Sequence, residues 1–143
     1  MKRSAREIDI DPRTYVGLSF PLRADNNNSF AMTKNSVQQA QYNLKNLLLT
    51  SLGERPMLPE FGCRLREVCF EQQDTELPNK VKEIIEEAVS NWLPYINISD
   101  IDVSTKAGDK STIFVTVSFS TTLNPDTLEQ ITLDTSYASN FKP

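Results

Sequence analysis

Residues 78–103 read PNKVKEIIEEAVSNWLPYINISDIDV, and the hydrophobic period changes inside this stretch. Up to Trp92 the apolar residues Val81, Ile84, Ile85, Ala88, Val89 and Trp92 recur at intervals of 3, 1, 3, 1 and 3. Lys80, Lys82, Glu83, Glu86 and Glu87 fall on the opposite side, which is the pattern of an amphipathic helix. Thr75 and Pro78 mark its start, and Pro94 ends it. Beyond Pro94 the period is two: Ile96, Ile98 and, after an irregularity, Ile101 and Val103.

Downstream, Lys106-Ala107-Gly108-Asp109-Lys110 reads as a turn, after which Ile113, Val115, Val117 and Phe119 alternate with Thr112, Phe114, Thr116 and Ser118. That is a β-hairpin. Asn124-Pro125-Asp126 is expected to make a second turn and Glu129 to Asp134 a third strand. Upstream, Thr33 or Asn35 can cap a helix carrying Val37, Ala40, Leu44, Leu47 and Leu48 on one face, with Gly53 and Pro56 as its stop. Leu65, Val68 and Cys69 fit one or two helical turns between the two main helices. The fold class expected is therefore α+β: two main amphipathic helices packed on one face of a small antiparallel β-meander, with an extended N-terminal arm. The arm covers residues 1–32, the single domain 33–135 and a tail 136–143.

The arm combines Pro12, Gly17, Pro21 and the polar run from Asp25 to Ser29, and only Tyr15 to Phe20 is apolar enough to pack. Its first 23 residues hold five cations against three acids, a local balance of +2 on a chain of net charge -4 and pI near 4.9. It reads as a solvated tail or as a docking arm. The acidic chain creates no field favouring nucleic acid or an anionic membrane, and neither is an expected partner. The longest apolar run, Leu47-Leu48-Leu49, is far short of a membrane span, and the N-terminus lacks a signal-peptide pattern. A cytoplasmic site of synthesis follows, with Cys63 and Cys69 as reduced thiols and Cys69 the more buried.

The 143 residues include no histidine, which removes Ser-His-Asp and Cys-His catalysis, and two cysteines alone cannot complete a Cys/His zinc site. Four glycines provide no phosphate loop. No cofactor and no metal are expected. A paired-carboxylate glycosidase is the one enzymatic reading the composition permits, with Glu54, Glu60 and Glu67 near the central loop. Nearby acids are, however, unavoidable with nineteen of them in one soluble chain, and Trp92 fits a core better than a sugar platform.

Gly53-Glu54-Arg55-Pro56-Met57-Leu58-Pro59-Glu60-Phe61-Gly62-Cys63-Arg64-Leu65 is the distinctive segment. Its prolines and glycines define an irregular loop, and Phe61 can hold that loop down. Together with the flanking helices and the terminal meander, Arg55-Pro56, Pro59-Glu60-Phe61-Gly62 with Leu65, and Asn124-Pro125 resemble the small wedge family of contractile-tail baseplates, which includes a type VI secretion subunit. The resemblance covers roughly residues 18–135.

The resemblance implies a non-enzymatic virion protein, assembled in the host cytoplasm, that grips the helices of larger wedge subunits and offers strands to the first ring of tail sheath protein. Inner tail-tube or hub proteins are further neighbours it allows, and a peptidoglycan hydrolase is the alternative function. Wedge contact would fall on Glu54, Arg55, Pro56, Pro59, Glu60 and Phe61. Family members often carry Glu-Pro-Arg after the second helix, where this chain has Leu93-Pro94-Tyr95, so an apolar contact through Leu93 and Tyr95 is the expected substitute. Sheath contact would use Phe114, Thr116 and Ser118 with Ile131, Thr132 and Leu133, because residues 111–122 hold no charge and no proline to guard a free edge. Alternatively, residues 15–20 could pair with that edge.

Overall fold

The structure is a computed structural model that describes residues 9, 11, 13–27, 29–68, 76–106 and 109–134. Two short strands, β1 (Gly17–Leu18) and β2 (Met32–Thr33), precede helix α1 (Ser36–Leu49), the single turn α2 (Leu65–Val68) and helix α3 (Leu77–Trp92). Three long strands follow: β3 (Ile96–Lys106), β4 (Asp109–Thr121) and β5 (Asn124–Asp134). The class is α+β, as the change of period indicates.

The helix ends follow local chemistry. Of the two candidate caps for α1 it is Asn35 that acts, its Oδ1 accepting the Val37 N–H at 2.9 Å. The helix stops at Leu49, before the glycine expected to end it, because Thr50 turns to extended backbone while its hydroxyl and N–H both donate to the Asn46 carbonyl. Gly53 (φ +80) serves the turn that follows instead. Pro78 sits in the first turn of α3, whereas Thr75 lies outside the described residues.

The main sheet has the order β3-β4-β5, antiparallel throughout. Its register shifts between Ile98 and Asp100, the irregularity expected ahead of Ile101. The second turn is not at Asn124-Pro125-Asp126: Thr121 pairs with Asn124, so Thr122 and Leu123 make the turn and Pro125 lies inside β5. A proline is tolerated there because β5 is an edge strand. Phe119 pairs with Glu129 and Thr121 with Asn124, so β5 takes five steps where β4 takes two, and the surplus of three residues forms a bulge.

The core lies where α1 and α3 cover one face of this sheet. Ile113, Val115, Val117 and Phe119 of β4 are at most 1 % exposed, and they meet Leu44, Leu47, Val81 and Ile85, all at 0 %. Fully burying one such side chain contributes about 1.5–3 kcal/mol relative to leaving it in water.

Part of the N-terminal arm folds back on itself. Gly17 pairs with Thr33 and Leu18 with Met32, and an isolated bridge joins Ala24 to Phe30. Residues 17–18 therefore do not pair with the main sheet. The pair is clamped to α1: the Asp9 carboxylate accepts the Ser36 N–H at 2.8 Å and its hydroxyl at 2.6 Å, and the buried Thr33 hydroxyl bonds the Gln39 amide. Asp9 so stands as an anion at a helix N-terminus, a favourable placement.

Between α1 and α2 the chain closes a loop through Cys63 N–H to the Thr50 carbonyl at 2.8 Å. Cys63 is 3 % exposed, with Sγ 4.0 Å from the Ile84 carbonyl; Cys69 lies outside the described residues. Gly62 has φ +134, and a Cβ there would stand 2.6 Å from the Thr50 carbonyl oxygen, so only glycine fits.

This packing makes stability testable at two places. Leu44→Asp or Ile85→Asp buries an unpaired carboxylate at a cost of several kcal/mol, comparable with a total stability of about 5–15 kcal/mol, and should abolish the cooperative melting transition. Near-native melting of both variants would mean the core is misplaced. Gly62→Ala should cost on the order of 3 kcal/mol from strain plus collision, and Gly53→Ala, with open space around its Cβ, nearer ~1 kcal/mol. Denaturant titration of the two variants checks the order.

Candidate functional site

The loop between α1 and α2 is a series of tight turns. Glu54 N–H donates to the Ser51 carbonyl, Leu58 N–H to that of Arg55 and Phe61 N–H to that of Leu58, at 3.2, 3.2 and 3.1 Å. Pro56 and Pro59 each occupy the second position of a turn, where the fixed proline φ is pre-set for it. Gly53 N–H to the Pro59 carbonyl at 2.8 Å ties the turns together, and the Glu54 carboxylate accepts the Ser51 N–H at 2.8 Å.

Phe61 anchors this loop. Its half-buried ring meets Trp92 edge to face at 5.2 Å and 68°, and the Arg55 guanidinium lies 4.2 Å over its centroid. Guanidinium, phenyl and indole thus stack from solvent to core, and an exposed cation–π contact contributes about 0.5–1 kcal/mol. Trp92 packs against the core, in line with its expected role. Glu54, Arg55, Pro56, Pro59 and Glu60 are all exposed on this platform, so the structure does bring the predicted loop residues together. The most prominent side chain is one that sequence reasoning misses: Met57, at the tip of the first proline turn, is 95 % exposed, with Leu58 beside it at 39 %. Its position directly after a turn proline is the local signal that could have found it.

The second predicted group separates. Leu93 is 8 % exposed and belongs to the core, so an apolar grip through its side chain is corrected: as the residue capping α3 it turns inward. Pro94 and Tyr95 are exposed, but Tyr95 faces α1 and the β4–β5 turn. Its hydroxyl accepts from the Asn43 amide at 2.8 Å, and its carbonyl accepts from Thr122 N–H at 3.0 Å. It lines a half-open cavity of about 200 Å³ with Val16, Ala40 and Leu123. No carboxylate is among the residues lining that cavity.

The predicted sheath-contact strands are neighbours, but their roles differ. β4 is the middle strand, paired on both sides, so residues 113–119 present no free edge; this corrects the reading of Phe114, Thr116 and Ser118 as an edge template. The absence of charge in residues 111–122 has a plainer cause, since a central strand needs no guard against pairing. Phe114, Thr116 and Ser118 instead lie on the sheet face away from the helices, in rows with Asp134, Thr132 and Gln130 of β5. Thr116 and Thr132 hydroxyls stand 3.3 Å apart, and the Gln130 amide donates to Ser118 Oγ at 3.1 Å. In β5, Leu133 is 2 % exposed, Ile131 half-buried and Thr132 exposed. Ile131 and Leu133 face the core, and only the backbone of this segment and Thr132 are open to a partner.

Comparison with known proteins finds relatives of this chain. The Enterobacteria phage T4 protein "baseplate wedge protein gp25" is 35 % identical over 97 residues, 68 % of this chain and 73 % of its own. A chain of the anti-feeding prophage baseplate superposes with a TM-score of 0.58 at 20 % identity, covering 82 % of this chain and 81 % of that one. A Geobacter sulfurreducens protein described as a candidate tail lysozyme gives a TM-score of 0.62 at 20 % identity, covering 70 % and 89 %; at that identity the likeness is one of fold alone. The family model described as baseplate wedge protein gp25 matches residues 33–126, which run from the buried Thr33 through the proline-turn loop and the central strand into the β5 bulge. With that match and the similarity to the T4 relative, the chain belongs to the gp25 baseplate wedge family.

Proposed function

We propose that this chain is a structural subunit of a contractile-tail baseplate wedge, holding larger wedge subunits through the proline-turn loop and starting the sheath at the open edge of β5. Family membership supports the wedge role, and the T4 relative carries that name. The observation that carries the finer reading is the position of β5. It is the last strand of the sheet order, its bulge and Pro125 guard only its first half, and residues 129–134 follow in regular register. An added strand there would gain main-chain hydrogen bonds, with specificity from alternate side chains.

The loop suits a partner contact because its turns are already ordered, so less conformational entropy is lost on binding. Glu54, Arg55 and Glu60 would supply polar contacts around the apolar tip at Met57 and Leu58. Tyr95, in place of the family's arginine, would contribute a ring beside α1. Assembly in the host cytoplasm and incorporation into the virion tail complete the proposal.

For a hydrolytic reading the carboxylates would have to face one another across a cleft. Instead Glu54 is turned onto Ser51 N–H, and Glu60 and Glu67 are exposed. Purified protein is therefore expected to leave a peptidoglycan suspension turbid, and clearing that vanishes in Glu54→Gln or Glu60→Gln would establish an enzyme. The edge reading is tested with Ile131→Pro and Thr132→Pro. Adjacent residues of an edge strand point their N–H groups in opposite directions, so one variant loses a bond to β4 and the other a donor on the open edge. The variant that melts like wild type should enter wedges normally yet leave tails without sheath. Full-length sheath at the normal rate on those baseplates would remove β5 as the template.

A further inference from the structure

Six of the thirteen exposed large apolar side chains of the described residues fall within residues 15–32, ahead of the family match at 33–126. Leu22 and Phe30 are 61 and 62 % exposed, Met32 48 % and Leu18 45 %. Their direction is a consequence of the ladder. Gly17 and Thr33 form one cross-strand pair and turn toward α1, where Thr33 is buried on Gln39 and a Cβ on Gly17 would collide with the same side chain. Successive residues of a strand face opposite ways, so the next pair, Leu18 with Met32, points away from the domain. An apolar face of this kind, held rigidly, marks an interaction site.

The charges beside it say what it fits. Every described acid before residue 34 is turned into its own backbone or helix: Asp9 onto Ser36, Asp11 onto Arg13 N–H and the Thr14 hydroxyl, Asp25 onto Asn26 N–H. Arg13, Arg23 and Lys34 are exposed, Lys34 lying 5.4 Å over the Tyr15 ring. Residues 1–34 hold six Lys and Arg against four Asp and Glu, so this apolar surface belongs to a segment with a local balance of +2 on a chain of net charge -4. Like charge disfavours pairing this face with the same face of a second copy, and residues 1–8, with Lys2, Arg3 and Arg6 against Glu7, are no better matched.

We propose that the β1–β2 ladder is a docking surface for a segment of a neighbouring subunit that combines apolar side chains with carboxylates. The proposal rests on the baseplate reading above. Asp9 and Gln39 would hold the ladder at a set angle on α1, so that the added segment extends the wedge contact beyond residues 33–126.

The test uses tail particles assembled with the full chain and counts its copies per particle by quantitative mass spectrometry. Leu18→Ser combined with Phe30→Ser, both at exposed positions, should leave the melting temperature unchanged and reduce incorporation roughly ten-fold or more, as truncating an interface centre does. Arg13→Glu combined with Arg23→Glu leaves the apolar face intact and guards against a folding artefact; it should reduce incorporation as well, and more strongly at low salt. A photo-cross-linking residue at position 30 should capture another subunit through a peptide containing Asp or Glu. Normal incorporation of both double variants overturns the proposal, as does cross-linking only to residues 135–143 of the same chain or to a second copy. Binding of the purified chain to phosphatidylglycerol vesicles, lost in the variants while incorporation stays normal, would make the surface a lipid contact and also overturns it. Absence of the wild-type chain from particles would sink the baseplate reading itself, and is told apart by that control.

Discussion

Burial of one face of β4 is the constraint on which the other elements depend. Ile113, Val115, Val117 and Phe119 are covered by α1 and α3 and flanked by β3 and β5, so the helices, both hairpins and the sheet order meet at one strand. A central strand has both ladders occupied, so its backbone polar groups are satisfied without water and its core-facing residues can be wholly apolar. The open edges of the main sheet are consequently displaced outward, to β3 and β5. Whatever binds this sheet by strand addition must use those edges.

The loop between α1 and α2 is a second rigid unit, built differently. It has little core of its own and is held by turn geometry: prolines three residues apart, glycines where φ is positive, and one aromatic anchor onto Trp92. Backbone hydrogen bonds at Cys63 and Gly53 close it at its base and middle. A surface made this way can present Met57 and Leu58 to a partner without first having to be ordered. Its Arg55 lies over Phe61 yet stays exposed beside Glu54 and Glu60, so the rim of the loop carries charges of both signs.

The N-terminal ladder adds a third surface by means of polar clamps. Asp9 and the Thr33–Gln39–Asn43 series fix it along α1, Gln39 bonding Thr33 with one amide atom and Asn43 with the other. Few residues are needed for this attachment: one acid, one threonine and two amides. Loop, edge and ladder lie on different elements of one small domain, so the contacts proposed for them would not compete for the same residues.

The sequence by itself determined the elements: the 3.6 period of α1 and α3, the period of two after Pro94, the irregularity before Ile101 and the turn-rich loop around Phe61 were all legible, because each is written in residues close together in the chain. That Glu54, Arg55, Pro56, Pro59 and Glu60 share one exposed loop was legible for the same reason. Which strand lies in the middle was not, even though residues 111–122 are free of charge while β5 carries Pro125, Asp126, Glu129 and Asp134, because a charge-free strand reads alike whether a neighbour or an incoming subunit covers it. The direction of Leu93, the reach of Asp9 to Ser36 across 27 residues and the outward face of Leu18 and Met32 were likewise decided by tertiary structure. A side chain's burial depends on what the rest of the chain places against it, and no local spacing encodes that.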